Sequence, residues 1–219
     1  MKLISVNCGL PREVEWHGHR VTTSIYKEPV EGRVALRKLN LDGDRQSDLK
    51  VHGGEHKAVY CYPAQHYAYW KEELPERDLP LGIFGENFTI EDGPDEASAY
   101  IGDRFSVGTA EVVVTQPRLP CYKLGIRFGA DEMVKWFLAS GKTGFYVAVA
   151  REGEVGAGDA IALLGREQES ISVSEITRLY IAKEHGDEDR RMMEKARELS
   201  NLPDSWKQWL WERANRRKV

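Results

Sequence analysis

The stretch "EVVVTQPRLPCYKLGIRFG", residues 111–129, decides how the chain reads. Its consecutive valines and following threonine are β-branched and read as a strand. Pro117 cannot donate in a ladder, so the strand ends there. Pro120 fixes its own φ immediately before Cys121, and "CYKLGIRFG" opens a helical turn. A single cysteine therefore stands in a tight corner, flanked by Arg118 and Lys123. A thiol at a helix start beside cations favours thiolate, the form that attacks sulfur or binds a soft metal. The competing reading is a buried structural thiol, because free cysteine also behaves as a small hydrophobe.

The texture around this stretch is the same up to about residue 165. Short β-runs alternate with period two: "LISVN", "EVEWHG", "VTTSIY", "RVALRKLN", "KAVYCYP", "NFTI", "RFSVG", "FYVAVA" and "AIALLG". Turn signals such as "LDGD", "EDGPDE", "IGD" and "REGEVGAGD" divide them. The pattern predicts an antiparallel barrel or sandwich. Two helices interrupt it: "PAQHYAYWKEEL", opening on Pro63, and "ADEMVKWFLASG", ending at Gly141.

Beyond residue 170 the period changes. "SVSE" is a capping box, Ser172 with Glu175, ahead of apolar Ile176, Leu179 and Tyr180. "DEDRRMMEKAREL" and "PDSWKQWLWERANRR" supply two more short helices. The last puts Trp206, Trp209 and Leu210 on one face, with Trp211 at its edge. Such short helices need packing partners, either one another or the β-region. The expected organisation is a β-domain over 1–168 and a three-helix region over 169–219.

The 219 residues are 41% hydrophobic and 30% charged, with a net charge of −4 and a pI near 5.9. That balance argues against a broad nucleic-acid or membrane footprint. The N-terminal run is broken by Ser5 and Asn7, so it fails as a secretory signal, and no apolar run is long enough to span a membrane. Three cysteines without CxxC spacing signal neither a disulfide framework nor a four-cysteine zinc or iron–sulfur site. A reducing cytoplasm fits this usage. Cys8 and Cys61 sit in or beside apolar strands and read as core packing.

Two further stretches carry polar chemistry. "LDGDRQSDLKVHGGEHKAVYCY", 41–62, gathers Asp42, Asp44, Gln46, Asp48, His52 and His56 around glycines. Gly53 and Gly54 suit positive φ, which lets backbone N–H groups converge on an oxyanion, and Lys57 adds charge. A wide connection with solvated charges is the alternative. His52 and His56 straddle a glycine pair rather than a helix, so zinc spacing with His66 is not met. "LGIFGENFTI", 81–90, places Glu86 and Asn87 after a glycine bend, either for a polar heterocycle or for the turn itself. No dinucleotide or Walker fingerprint is present, and nothing sets a histidine base beside Cys121.

Four stretches in order carry a resemblance: "GDRQSDLKVHGGEHKAVYCYP", "GIFGENFTI", "IGDRFSVGTAEVVVTQPRLPCYKL" and "TGFYVAVAREGEVGAGDAIAL". Together they resemble the MOSC family, named for the C-terminal domain of molybdenum cofactor sulfurase. The closing helices resemble the three-helix appendage of its YiiM-type branch. The resemblance implies a mainly β, barrel-like fold with a few inserted helices. It implies handling of the molybdenum cofactor (molybdopterin) or of its sulfur; pyridoxal phosphate is also associated with the family. The motif cysteine maps onto Cys121, as molybdenum ligand and catalytic residue. Some relatives reduce N-hydroxylated bases and amidoximes.

A cofactor phosphate would suit Gly53, Gly54, Lys57 and Arg118, while Asp48, His52 and Asn87 would bond the pterin or its oxygens. Reduction would need a separate electron-donating reductase and a small N-hydroxylated substrate, without membrane or nucleic acid. The alternative is a carrier holding a persulfide on Cys121, served by a cysteine desulfurase, or delivering the cofactor. A third reading makes the Trp-rich helices an interaction surface. A homodimer is compatible with all three.

Overall fold

The computed structural model describes residues 1–49 and 53–215. The period-two runs all fold as strands. The first five are β1 (Lys2–Cys8), β2 (Arg12–Trp16), β3 (His19–Thr23), β4 (Glu28–Pro29) and β5 (Arg33–Leu36). A 3₁₀ turn over Glu55–Lys57 leads into β6 (Val59–Pro63), followed by helix α1 (Gln65–Glu73) and β7 (Phe88–Glu91). Then come β8 (Arg104–Val107), β9 (Ala110–Pro117), α2 (Tyr122–Phe128) and α3 (Glu132–Ala139). β10 (Phe145–Arg151), β11 (Gly153–Gly156) and β12 (Ile161–Gly165) complete the strands. The chain closes with α4 (Val173–Ile181), α5 (Asp187–Arg197) and α6 (Asp204–Ala214).

Eight strands form one sheet in the order β12-β8-β9-β10-β6-β7-β1-β4. Its pairs are antiparallel except β6 with β7. A parallel pair needs a crossover, and α1 with the following loop supplies it. The expected barrel is corrected to an open, curled sheet in a mixed α/β fold. The start of β1 meets the chain entering β12 through the bridge Lys2↔Ala160 and through backbone hydrogen bonds from Leu3 N to Asp159 O, Gly158 N to Leu3 O and Ile161 N to Met1 O. Beyond Ile161, β12 turns to β8 while β1 goes on to β7 and β4, so no continuous ladder joins them.

Three local readings are refined. Pro63 ends β6 opposite Ile90 instead of opening the helix. A strand's last residue tolerates a missing N–H as well as a helix's first turn does. The Gly-rich turn signal at 153–156 is a strand, β11, because β5 gives it a partner. The helix expected after Cys121 is α2.

A continuous apolar cluster runs from Val6, Phe88 and Val147 in the sheet to Ile176, Met193 and Leu210 in α4, α5 and α6. The three last helices therefore bury their apolar stripes against one another and against the sheet. α4 begins as read: Ser172 Oγ accepts from Glu175 N at 3.2 Å, and Glu175 Oε2 accepts from Ser172 N at 3.1 Å. On α6, Trp206 and Leu210 are buried and Trp211 is exposed. A second, aromatic cluster of Tyr60, Tyr62, Trp70, Phe84 and Phe137 joins β6 to α1 and α3. Among the described residues no helix is long and apolar enough to cross a membrane.

Candidate functional site

β9 delivers its last residue, Pro117, to a pairing with Phe145 at the start of β10. The next peptide is tied down too, since Arg118 N donates to Gly144 O at 3.2 Å. Gly144 has φ +70°, and a side chain there would press into the Cys61 carbonyl and stand 2.8 Å from the Tyr60 ring. Only glycine lets β10 start this close to β6. The turn is thereby pinned, and it sends Arg118 inward and leaves Cys121 half-buried at the rim, one residue before α2.

Arg118 enters a small cleft of about 80 Å³ together with Cys121, Lys57 and Lys123. Its guanidinium lies 5.2 Å from the Tyr60 ring and 5.1 Å from the Phe137 ring. Nη2 reaches Phe84 O at 3.5 Å, the limit of a hydrogen bond, while Nη1 is buried without a partner. Ser24 Oγ, on the same cleft, is likewise buried and unpartnered. Buried polar atoms are nearly always satisfied, so two orphans facing one cavity mark a place for an oxygen-rich ligand.

The cleft is positively charged. Lys27, Lys57, Arg118 and Lys123 face it. Lys27 Nζ is neutralised by Asp44 Oδ1 at 2.5 Å. Lys123 Nζ donates to Ser47 Oγ at 2.8 Å, which ties α2 to the 42–49 loop. The 3₁₀ turn carrying Lys57 is held by its His56 carbonyl, which accepts from Thr115 Oγ1 at 2.7 Å and Gln116 Nε2 at 3.1 Å. Burial lowers the Lys57 pKa below its ordinary value. Burial raises the Tyr60 and Tyr146 phenols, against the opposing charge of Arg118, so both stay protonated donors.

The sequence-predicted residues separate into groups. Cys121, Arg118, Lys57 and Asn87 line the cleft. Asn87 acts as a strut, with its amide engaged inside the protein. Oδ1 accepts from Tyr60 N at 3.1 Å, and Nδ2 donates to Asn7 O at 3.1 Å and Asp44 Oδ2 at 2.9 Å. Asp48 is half-buried in the loop just past Ser47 and is not among the described lining residues. Neither are Gly53 and Gly54, which lead into the 3₁₀ turn; Gly54 has the expected positive φ, 95°. His52 lies outside the described residues.

Elsewhere, His66 Nε2 pairs with buried Glu96 Oε2 at 2.8 Å, and no set of three His, Cys, Asp or Glu side chains among the described residues is arranged to hold a metal. Cys8 and Cys61 are buried as read, and burial lifts the Cys8 thiol to about 11 and the Cys61 thiol higher.

Ser24, Lys27, Tyr60 and Tyr146 escaped the sequence reading. Ser24 and Lys27 follow β3 in an irregular segment with no motif. Tyr60 and Tyr146 face each other across β6 and β10, which only the register reveals. On its other side Cys121 opens to a second cleft of about 320 Å³, bounded by Tyr180, Trp206 and Trp209.

Comparison with known proteins gives this arrangement a lineage. The chain is 40% identical over 205 residues to YflK of Bacillus subtilis, covering 94% of this chain and 90% of that one. It is 34% identical over 169 residues to a protein named reductase from Gibberella moniliformis, covering 76% of this chain but 30% of the fungal protein. The crystal structure of YiiM from Geobacillus stearothermophilus matches with a TM-score of 0.80 and 31% identity, covering 97% of this chain and 98% of that one. The MOSC domain model matches residues 48–162, the span that carries Lys57, the Phe84 bend and the Cys121 corner. The chain belongs to the MOSC domain family.

Proposed function

We propose that the chain binds the molybdenum cofactor in the cationic cleft and reduces N-hydroxylated compounds, with Cys121 as the metal's protein ligand. The observation that carries this reading is the pair of orphaned buried groups, Arg118 Nη1 and Ser24 Oγ, in the cavity that also contains the half-exposed Cys121 thiol. An anionic, oxygen-rich group with a sulfur-seeking metal satisfies all three.

Arg118, Lys57 and Lys123 would hold the cofactor's phosphate, with Ser24 Oγ donating to one of its oxygens. When bound, the cofactor supplies two-electron reduction, in which an N–OH compound plus two electrons and two protons gives the amine and water. The protein's own part is position and charge. Tyr60 Oη is committed to Thr143 O at 2.8 Å, which leaves the protonated Tyr146 phenol beside Cys121 and Arg118 as a donor toward the reacting end. Electrons come from a separate reductase, and the relative named reductase supports a role in reduction.

One observation also favours a carrier. Cys8 and Cys61 are buried, and Cys121 is the half-exposed member of the three. A desulfurase persulfide would transfer its outer sulfur to the Cys121 thiolate, and the desulfurase thiolate would leave. Molybdenum analysis and turnover of hydroxylaminopurine with a reductase, on wild type and Cys121→Ser, test the first reading. Metal and turnover in wild type that disappear in the variant support it. Turnover no higher than in the variant overturns it, and a one-sulfur mass gain at Cys121 then favours the carrier.

A further inference from the structure

Neighbouring residues of a strand point to opposite faces of its sheet. Thr115 and Gln116 depart from that rule. Thr115 Oγ1 at 2.7 Å and Gln116 Nε2 at 3.1 Å both reach the His56 carbonyl. The register gives the cause. Tyr146 pairs with Gln116 but Val147 pairs with Val114, so Thr115 is the extra residue of a bulge in β9. A bulge bends its strand and re-aims a side chain. Here it turns the buried Gln116 toward the 3₁₀ turn that presents Lys57.

The Gln116 amide has one orientation. An indole N–H can only donate and a carbonyl can only accept. Oε1 therefore faces Trp206 Nε1 at 2.8 Å, and Nε2 faces His56 O. Thr115 does not make the amide redundant, because its hydroxyl has one proton for two carbonyls, His56 O at 2.7 Å and Tyr146 O at 3.1 Å. An apolar side chain of the same size would fill the space between α6 and the turn. The amide adds a directional link at both ends. Lys57 follows His56 in the chain and lines both clefts beside Cys121. We propose that Gln116 is a positioning residue, which fixes Lys57 for an anion in the cleft and is itself set by the Trp206 indole of α6. This role rests on the reading of the cleft as the cofactor's phosphate site, and it names the group that orders one of the site's cations. Without the amide, the His56 carbonyl keeps only the shared Thr115 proton, the turn loosens, and the Lys57 ammonium is no longer held at the anion.

Inorganic phosphate, titrated into the whole chain at neutral pH and followed by phosphorus NMR, reads the cleft without molybdenum or reductase. Lys57→Met is expected to weaken binding about 10-fold and Gln116→Met about 5-fold. Trp206→Phe keeps a ring in place and removes the N–H, and is expected to weaken it about 3-fold. The decisive comparison is Gln116→Met made in the Lys57→Met protein. A residue that acts through Lys57 changes phosphate affinity there by less than about 2-fold. A Gln116 that serves the fold alone, or touches the anion itself, weakens binding equally with and without Lys57. Thermal melts report whether each variant keeps its fold. Should Gln116→Met unfold, Trp206→Phe in both backgrounds gives the same comparison. Unchanged affinity in the folded variants, or an equal loss in both backgrounds, overturns the positioning role and leaves Lys57 as a cation of the site. Phosphate that does not bind wild type overturns that role together with the phosphate-site reading. Coupled losses in a protein that retains no molybdenum support the positioning role and count against the cofactor reading.

Discussion

Replacing Arg118 with methionine separates a ligand-binding cation from a structural one. The side chain is 4% exposed, with Phe84 O at 3.5 Å and the Tyr146 phenol as its polar neighbours inside the protein. It gains cation–π contact with Tyr60 and Phe137 at 5.2 and 5.1 Å, each worth about 0.5–2 kcal/mol. Against this stands the desolvation of a guanidinium with one nitrogen unpaired, a penalty of about 1–3 kcal/mol. The two nearly offset, so methionine, which fills similar space, leaves stability within about 1 kcal/mol. For a chain of this size that is a melting shift of roughly 2–4 °C in either direction.

Binding behaves differently. A charge-assisted hydrogen bond from Nη1 to an anion is worth about 1.5–3 kcal/mol, so affinity for the cofactor falls about 10- to 150-fold. Arg118→Lys keeps the charge but loses the fork, and is expected to recover only part of it. The assay pairs a thermal melt with cofactor titration followed by molybdenum content after desalting. A melting point lowered by more than about 10 °C with unchanged affinity would refute the reasoning and make Arg118 a core strut.

Two further outcomes follow from the same site. Burial holds the Lys57 pKa below 10.5, so between that lowered value and 10.5 the unfolded chain binds the proton that the folded chain has released. Stability from this group therefore rises with pH across that window while affinity for an anion falls; Lys57→Met should flatten both trends in melts and titrations taken up to pH 10.5. Gly144→Ala forces a left-handed backbone on a residue with a Cβ at φ +70° and crowds Cys61 and Tyr60. It should cost about 2–3 kcal/mol and lower the melting point by roughly 4–10 °C, and an unchanged melt would show that the corner is not pinned as described.

Local chemistry was enough to read the strands, the Ser172 capping box, the stop at Pro117 and the Cys121 corner. Each depends on a side chain's own φ preference, its missing N–H, or a partner three residues away. The four ordered stretches also carried the family.

What the sequence could not determine was who meets whom across long separations. β1 and β12 meet only over their first residues before β1 runs on beside β4 and β12 beside β8, and period two says nothing about partner choice. Asn87 looked free for a heterocycle, yet Asp44, 43 residues away, takes its amide. Ser24 joined the site with no motif, and Trp206 is set by Gln116, 90 residues away. Alternating hydrophobicity selects a buried face but carries no address for its partner. The cavity, its orphaned donors and its aromatic wall exist only once packing has supplied those addresses.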